Sequence, residues 1–204
     1  MNYLKPACDL KNNNLFMITI PIEISARHVH LSRSDVDLLF GVGYKLRSLK
    51  AISQTGQYAA VEKVNLQNGD KLIENVRVVG PERLETQVEL SLTDTRKLGL
   101  KVPLAVSGNM AQAAKLKIIG PRGQVSRNCA IRPQRHIHAS LEDAKKYILQ
   151  DGQVVSVKCG VERAVIFAQV VVRVRADFVW NLHLDTDEAN AAGLQIGEMG
   201  VVII

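Results

Sequence analysis

The sequence predicts a mainly β protein of barrel or sandwich type. Three observations carry that expectation. Short runs rich in Val, Ile and Leu recur with Gly, Pro, Asn or Asp between them, the pattern of many short strands joined by tight turns. Stretches with helical periodicity are few and short. One short word is used twice, as Ser25-Ala26-Arg27-His28-Val29-His30-Leu31-Ser32 and as Pro133-Gln134-Arg135-His136-Ile137-His138-Ala139-Ser140.

The elements follow in order. Residues 1–16 read as a flexible polar tail carrying Asn12-Asn13-Asn14. Residues 16–24 are apolar and β-branched, a strand. The first cassette continues it. A helix over 33–40 comes next, with Ser32 as N-cap and Asp35 in the first turn. Residues 41–61 form a connector with Gly43, Gly56 and the basic residues Lys45, Arg47 and Lys50. A strand over 60–66 meets Asn68-Gly69-Asp70, a hairpin turn, and returns over 71–79. Gly80-Pro81 breaks that pattern. Residues 87–92 are a strand holding Glu89, and 94–98 a helical turn closed by Gly99. Strands are expected at 102–106, 116–119 and 129–131. After the second cassette, Ser140 caps a helix over 141–149. Strands at 154–157, 164–174, 180–184 and 201–204 complete the chain.

Composition narrows the chemistry. There is no run of about 18 apolar residues, so no spanning helix is expected. No charged segment followed by an apolar one opens the sequence, so no secretory signal is expected. Cys8, Cys129 and Cys159 are three and contain no Cys-x-x-Cys, which fits free thiols in a reducing compartment. The formal net charge is +6, which favours anionic partners. Only 4% of residues are aromatic and no long basic run exists. A phosphorylated metabolite therefore fits better than a nucleic acid, which needs stacking platforms.

The cassettes hold four of the five histidines; the fifth is His183. On a strand, a His-x-His pair puts both imidazoles on one face. One such pair alone is an ordinary hydrogen-bonded surface feature. Two pairs, each with the same preceding Arg and a Ser two residues after the second His, argue for two metal sites. The repeat reaches further. Gln87-Val88-Glu89-Leu90-Ser91 can be laid on Asn181-Leu182-His183-Leu184-Asp185, and the same register places Gly99 on Gly193. Each half then supplies a His-x-His pair plus one further donor, Glu89 in one and His183 in the other. His₂Glu and His₃ are the sets of open catalytic zinc sites.

Beyond the cassettes, Gln54-Thr55-Gly56-Gln57-Tyr58-Ala59, Gly80-Pro81-x-Arg83, Thr86-Gln87-Val88-Glu89 and the run from Leu182 through Thr186-Asp187-Glu188 to Ala192 resemble the PduL family of phosphotransacylases, also called phosphate propanoyltransferases. The likeness runs from about residue 18 to the C-terminus. Ala26 and Thr55 depart from it, where many relatives have Asn and Pro. The resemblance implies two six-stranded β-barrels capped by short α-helices. Residues 17–26 with 134–204 would form one barrel domain and 27–133 the other. It implies interconversion of a short-chain acyl-CoA (propanoyl- or acetyl-CoA) plus phosphate with acyl phosphate plus CoA, on two zinc ions. His28, His30 and Glu89 would bind one zinc, and His136, His138 and His183 the other. Arg83 would bind phosphate; Ser25, Lys50, Arg77 and Asn190 would contact coenzyme A. A cytoplasmic homodimer working with an acyl kinase is expected. Relatives packaged in bacterial microcompartments carry an amphipathic N-terminal helix. Residues 1–14 contain Pro6, three consecutive Asn and no apolar stripe, so no such targeting helix is evident there. The residues fit a scheme with CoA sulfur at the Glu89 site and phosphate at the His183 site. The rival expectations are a zinc-dependent hydrolase of acyl-CoA or another phosphorylated metabolite, and a zinc-stabilised barrel that binds nucleic acid.

Overall fold

The computed structural model describes residues 17–204; the proposed tail and Cys8 lie outside the described residues. The chain runs β1 (Ile18–Ser25), β2 (His28–His30), α1 (Arg33–Phe40), β3 (Ser48–Ala51), β4 (Tyr58–Asn68) and β5 (Lys71–Gly80). It continues through β6 (Gln87–Glu89), α2 (Leu92–Leu98), β7 (Leu104–Ala105), β8 (Ala114–Ile119) and β9 (Gln124–Pro133). It ends with β10 (His136–Ala139), α3 (Leu141–Tyr147), β11 (Val154–Cys159), β12 (Val165–Val174), β13 (Asn181–Asp185), α4 (Thr186–Ala192) and β14 (Met199–Ile203).

These strands close into two six-stranded barrels. Barrel 1 runs β1-β13-β10-β12-β11-β14 and returns to β1. Barrel 2 runs β4-β5-β2-β6-β9-β8 and returns to β4, with β3 added beside β4 and β7 beside β9. Closure leaves no free edge in the ring itself. Each barrel has its own apolar core. Val29, Leu66, Val78, Val88 and Ile118 belong to one; Ile22, Ile137, Val157, Val172 and Leu182 belong to the other.

The two halves of the repeat exchange their first strands. β9 enters barrel 2 between β6, which it pairs in parallel, and β8, which it pairs antiparallel. β1 does the same in barrel 1 between β13 and β14. Glu89 sits opposite Ile131, and His183 opposite Glu23. Each strand that precedes a cassette therefore closes the barrel of the other half. Only Ala26-Arg27 and Gln134-Arg135 separate these strands from β2 and β10. The repeat also shows in the backbone. Asn75 and Gln169, at matching places in β5 and β12, both adopt positive φ, 59° and 57°.

Several boundaries differ from expectation. The helix expected at 94–98 starts at Leu92, because Ser91 leaves the strand to cap it through Asp94 N. The connector contains β3, paired to β4. β9 extends well before 129; its polar exposed stretch at 126–128 hid it. Helix α4 was not expected. Its sequence, Thr-Asp-Glu-Ala-Asn-Ala-Ala, has no apolar stripe, and its N-cap is Asp185. No helix among the described residues is long and apolar enough to cross a membrane.

Candidate active site

Strand alternation sets up the site. In β2, Val29 points into the core of barrel 2, fully buried, while His28 and His30 share the opposite face. In β10, Ile137 does the same for His136 and His138. The third donor arrives from the antiparallel neighbour at matching register: Glu89 of β6 opposite His28, and His183 of β13 opposite His136. Within each trio the candidate donor atoms lie within 4.8 Å of one another. The two trios line the same cavity, of about 1090 Å³, together with Arg83.

The hydrogen bonds select tautomers. Nδ1 of His28 donates to the Ala26 carbonyl at 2.8 Å, and Nδ1 of His30 to the Val79 carbonyl at 3.1 Å. Nδ1 of His136 donates to the Gln134 carbonyl at 2.8 Å. A carbonyl only accepts, so each ring carries its proton on Nδ1 and leaves Nε2 as a lone pair; this is how ligating histidines are usually oriented. His28 and His30 then face each other with bare Nε2 atoms 3.2 Å apart, an arrangement that repels unless a cation joins them. The second trio shows the same need differently. Both ring nitrogens of His138 and Nε2 of His183 are buried without a hydrogen-bond partner among the described residues. Orphaned buried polar atoms of this kind are costly and call for an explanation. Three convergent donors per site fit a zinc ion with an open position.

The electrostatics agree. Burial holds His30 and His183 well below the ordinary imidazole value, and nearby positive groups add to it. Burial also lowers His136 and His138. These rings are neutral at pH 7, the state a metal requires. Burial works to raise the Glu89 carboxyl, but the Ser107 hydroxyl that donates to it and the Arg83 guanidinium help hold it below the ordinary value, so Glu89 stays ionised. Ser107 Oγ donates to Glu89 Oε1 at 2.7 Å, and Gln87 donates to the same oxygen.

Arginines stand beside the trios: Arg83, Arg173 and Arg175 line the same cavity. Arg83 is fixed beside the first cassette by its backbone N–H, which donates to Leu31 O at 2.9 Å. Burial lowers its guanidinium from the ordinary value; Glu89 opposes that, and Arg173 and Arg175 add to it. Neither Arg83 nor Arg173 has an ion-pair partner among the described residues. An apolar-backed cavity with uncompensated guanidiniums is a seat for an anion.

Ser25 and Arg77 also line the cavity. Arg77 spends one nitrogen on the Ala60 and Val61 carbonyls, at 2.8 and 3.0 Å. Lys50 on β3 and Asn190 on α4 are exposed and are not among its lining residues. Sequence reasoning missed Arg173, Arg175 and Phe178. The first two were within reach: Val172-Arg173-Val174-Arg175 alternates, and Arg173 pairs in register with His138. Phe178, whose ring stacks on His138 at 3.7 Å between centroids, follows a turn and has no periodic signature.

The family model for phosphate propanoyltransferase matches residues 21–195. The chain is 46% identical over 187 residues to a phosphate propanoyltransferase of Thermotoga maritima, covering 90% of this chain and 89% of that protein. It is 44% identical to one of Lachnoclostridium phytofermentans, covering 90% and 87%. It is 45% identical to one of Clostridioides difficile, covering 90% and 88%. With both trios and the cationic wall inside the matched span, the chain belongs to the phosphate propanoyltransferase family of acyltransferases.

Proposed function

We propose that this chain interconverts a short-chain acyl-CoA plus phosphate with acyl phosphate plus CoA, using two zinc ions. His28, His30 and Glu89 would hold one, and His136, His138 and His183 the other. The observation that carries this reading is the shared cavity: two trios of convergent donor atoms, one of them with buried ring nitrogens left without partners, line a single space with Arg83 and Arg173. Zinc, when bound, would supply Lewis acidity toward phosphate and thioester oxygen and a soft partner for sulfur.

The chain's own residues do the rest. Arg83 offers a planar fork that grips phosphate through two parallel hydrogen bonds. A phosphate oxygen attacks the thioester carbonyl carbon. The C–S bond breaks and its electron pair leaves with the CoA sulfur. No side-chain nucleophile is needed. Burial raises the thiols of Cys129 and Cys159 to about 12 and about 11, and neither lines the cavity. Ser25 and Arg77 stand where the CoA moiety would enter; Lys50 and Asn190 would reach only the parts of CoA outside the cavity. We take 17–26 with 134–204 as one domain and 27–133 as the other. We take the working form as a cytoplasmic homodimer feeding an acyl kinase.

The test is an acyl-CoA panel assayed with and without phosphate, on protein whose metal content is measured by elemental analysis. CoA release should require phosphate, and zinc should approach two per chain. Phosphate-independent release would make the protein a hydrolase, and active protein with one zinc or none would end the two-metal reading.

Arg83→Lys keeps the charge and loses the fork. Its expected effect is a raised KM for phosphate, on the order of tenfold, if one charge-assisted hydrogen bond of about 1.5 kcal/mol is lost. Zinc content and fold should not change. Wild-type kinetics at low phosphate would remove Arg83 from the phosphate seat.

A further inference from the structure

The histidines explain two positions of the repeated word, and the Ser explains a helix cap. The Arg before each first His has no role yet. It is not a donor of either trio: Arg27 reaches the rim of the cavity and Arg135 does not line it, and both lie outside the strands that carry the histidines. It sits in the crossover peptide, where the chain leaves one barrel for the other.

In both halves it meets the same partner. Arg27 Nε donates to Asp94 Oδ1 at 2.6 Å. Arg135 Nε pairs with Glu188 Oε1 at 2.7 Å. Asp94 and Glu188 are each the third residue of a helix, α2 and α4, and each closes a capping box. The second carboxylate oxygen accepts the backbone N–H of the N-cap, Ser91 at 3.2 Å and Asp185 at 3.0 Å. Each N-cap lies two residues after a third donor, Glu89 or His183. The carboxylate thus ties the crossover before the His pair to the turn that follows the third donor. The crossover also supplies the carbonyl that orients the first ring, Ala26 O for His28 and Gln134 O for His136.

We infer that Arg27 and Arg135 are positioning residues, each setting the angle between its His-x-His pair and the third donor so that the trio is formed before metal arrives. The inference rests on the metal reading above. Charge attraction alone gives no sufficient account of the pair. Arg27's side chain is 46% exposed, while Asp94 is 2% exposed and already accepts the Ser91 N–H, so solvent screens the arginine and the carboxylate keeps a hydrogen-bond partner without it. Repetition of the contact at equivalent places in two barrels points to geometry instead. Groups that hold metal ligands without touching the metal typically change affinity by about 10–100-fold when removed.

The experiment uses the His183→Ala protein, in which the first trio alone is complete. Zinc affinity is measured by competition with a chromophoric chelator, without substrates, and folding by circular dichroism and urea titration. Arg27→Gln should weaken zinc binding at least about tenfold, Arg27→Lys should recover most of it, and Arg135→Gln should leave it unchanged. If Arg27→Gln does not fold, Asp94→Asn replaces it, since the amide oxygen still caps Ser91 N–H while the ion pair is lost. Zinc affinity equal to the parent, or an equal loss from Arg135→Gln, overturns the inference. A fall in urea stability with unchanged affinity does so too. A parent that takes up no zinc even with His183 restored overturns the metal reading itself, a result distinct from those.

Discussion

His183→Ala and Glu89→Ala should each lower bound zinc by about one equivalent and abolish acyl transfer. Each site rests on three donors, and an open site reduced to two protein ligands binds weakly. The two losses should nevertheless differ. With sulfur assigned to the Glu89 trio and phosphate to the His183 trio, the Glu89→Ala protein should still be protected by phosphate against thermal unfolding, as any ligand of the native state protects. The His183→Ala protein should lose that protection and keep protection by CoA. Elemental analysis and thermal scans with each ligand read both outcomes. If both variants keep two metals, the trios are not metal sites; if the protection patterns come out reversed, the assignment of sulfur and phosphate is wrong.

Leu182→Ala, one residue away, should do the opposite: keep both metals and cost about 2–5 kcal/mol of stability. Leu182 is fully buried in the core of barrel 1 and pairs in register with Ile137, the residue between the two candidate donor histidines of β10. Truncation opens a cavity behind the trio, where closed strands on both sides limit collapse. Urea denaturation of the zinc-loaded protein measures it against wild type. A loss below about 1 kcal/mol would show that the barrel wall relaxes freely, and loss of one zinc would show that core and site are not separable by strand face.

That separation explains what could be read from the sequence. The two donor trios were legible because the histidine face and the core face alternate residue by residue, and because the chain states the pattern twice. Partners such as Arg173 were legible in principle but carried no second copy: its counterpart in the repeat is Val79. Phe178 and the Gln54 loop were not legible. Gln54 reaches across to the backbone of Val179, bonding its N–H and its carbonyl at 3.2 and 3.4 Å. Such contacts between a loop of one barrel and a turn of the other depend on tertiary placement, which periodicity does not report. Helix α4 was missed for a related reason. It is held by its capping box and its Gly193 C-cap more than by an apolar face.

The exchanged first strands also impose an order on the making of the protein. Barrel 2 has all its strands once the ribosome has passed Pro133. β1, synthesised before any of them, must wait: Ile22 pairs with Leu182, 160 positions later, and Ile18 with Val202. Through most of translation, β1 is an apolar ribbon with two bare edges, the kind of surface that pairs with the wrong chain. The insert between β1 and β10 shortens that risk by folding. Once barrel 2 closes, its ends are held on β2 and β9, and both flank β6. A gap of more than a hundred residues then behaves as a short tether, and the entropy of bringing β1 to its late partners falls accordingly. The first described strand thus finds its partners only when the last two strands are made, and the histidine trio of barrel 1 is completed only as β13 arrives.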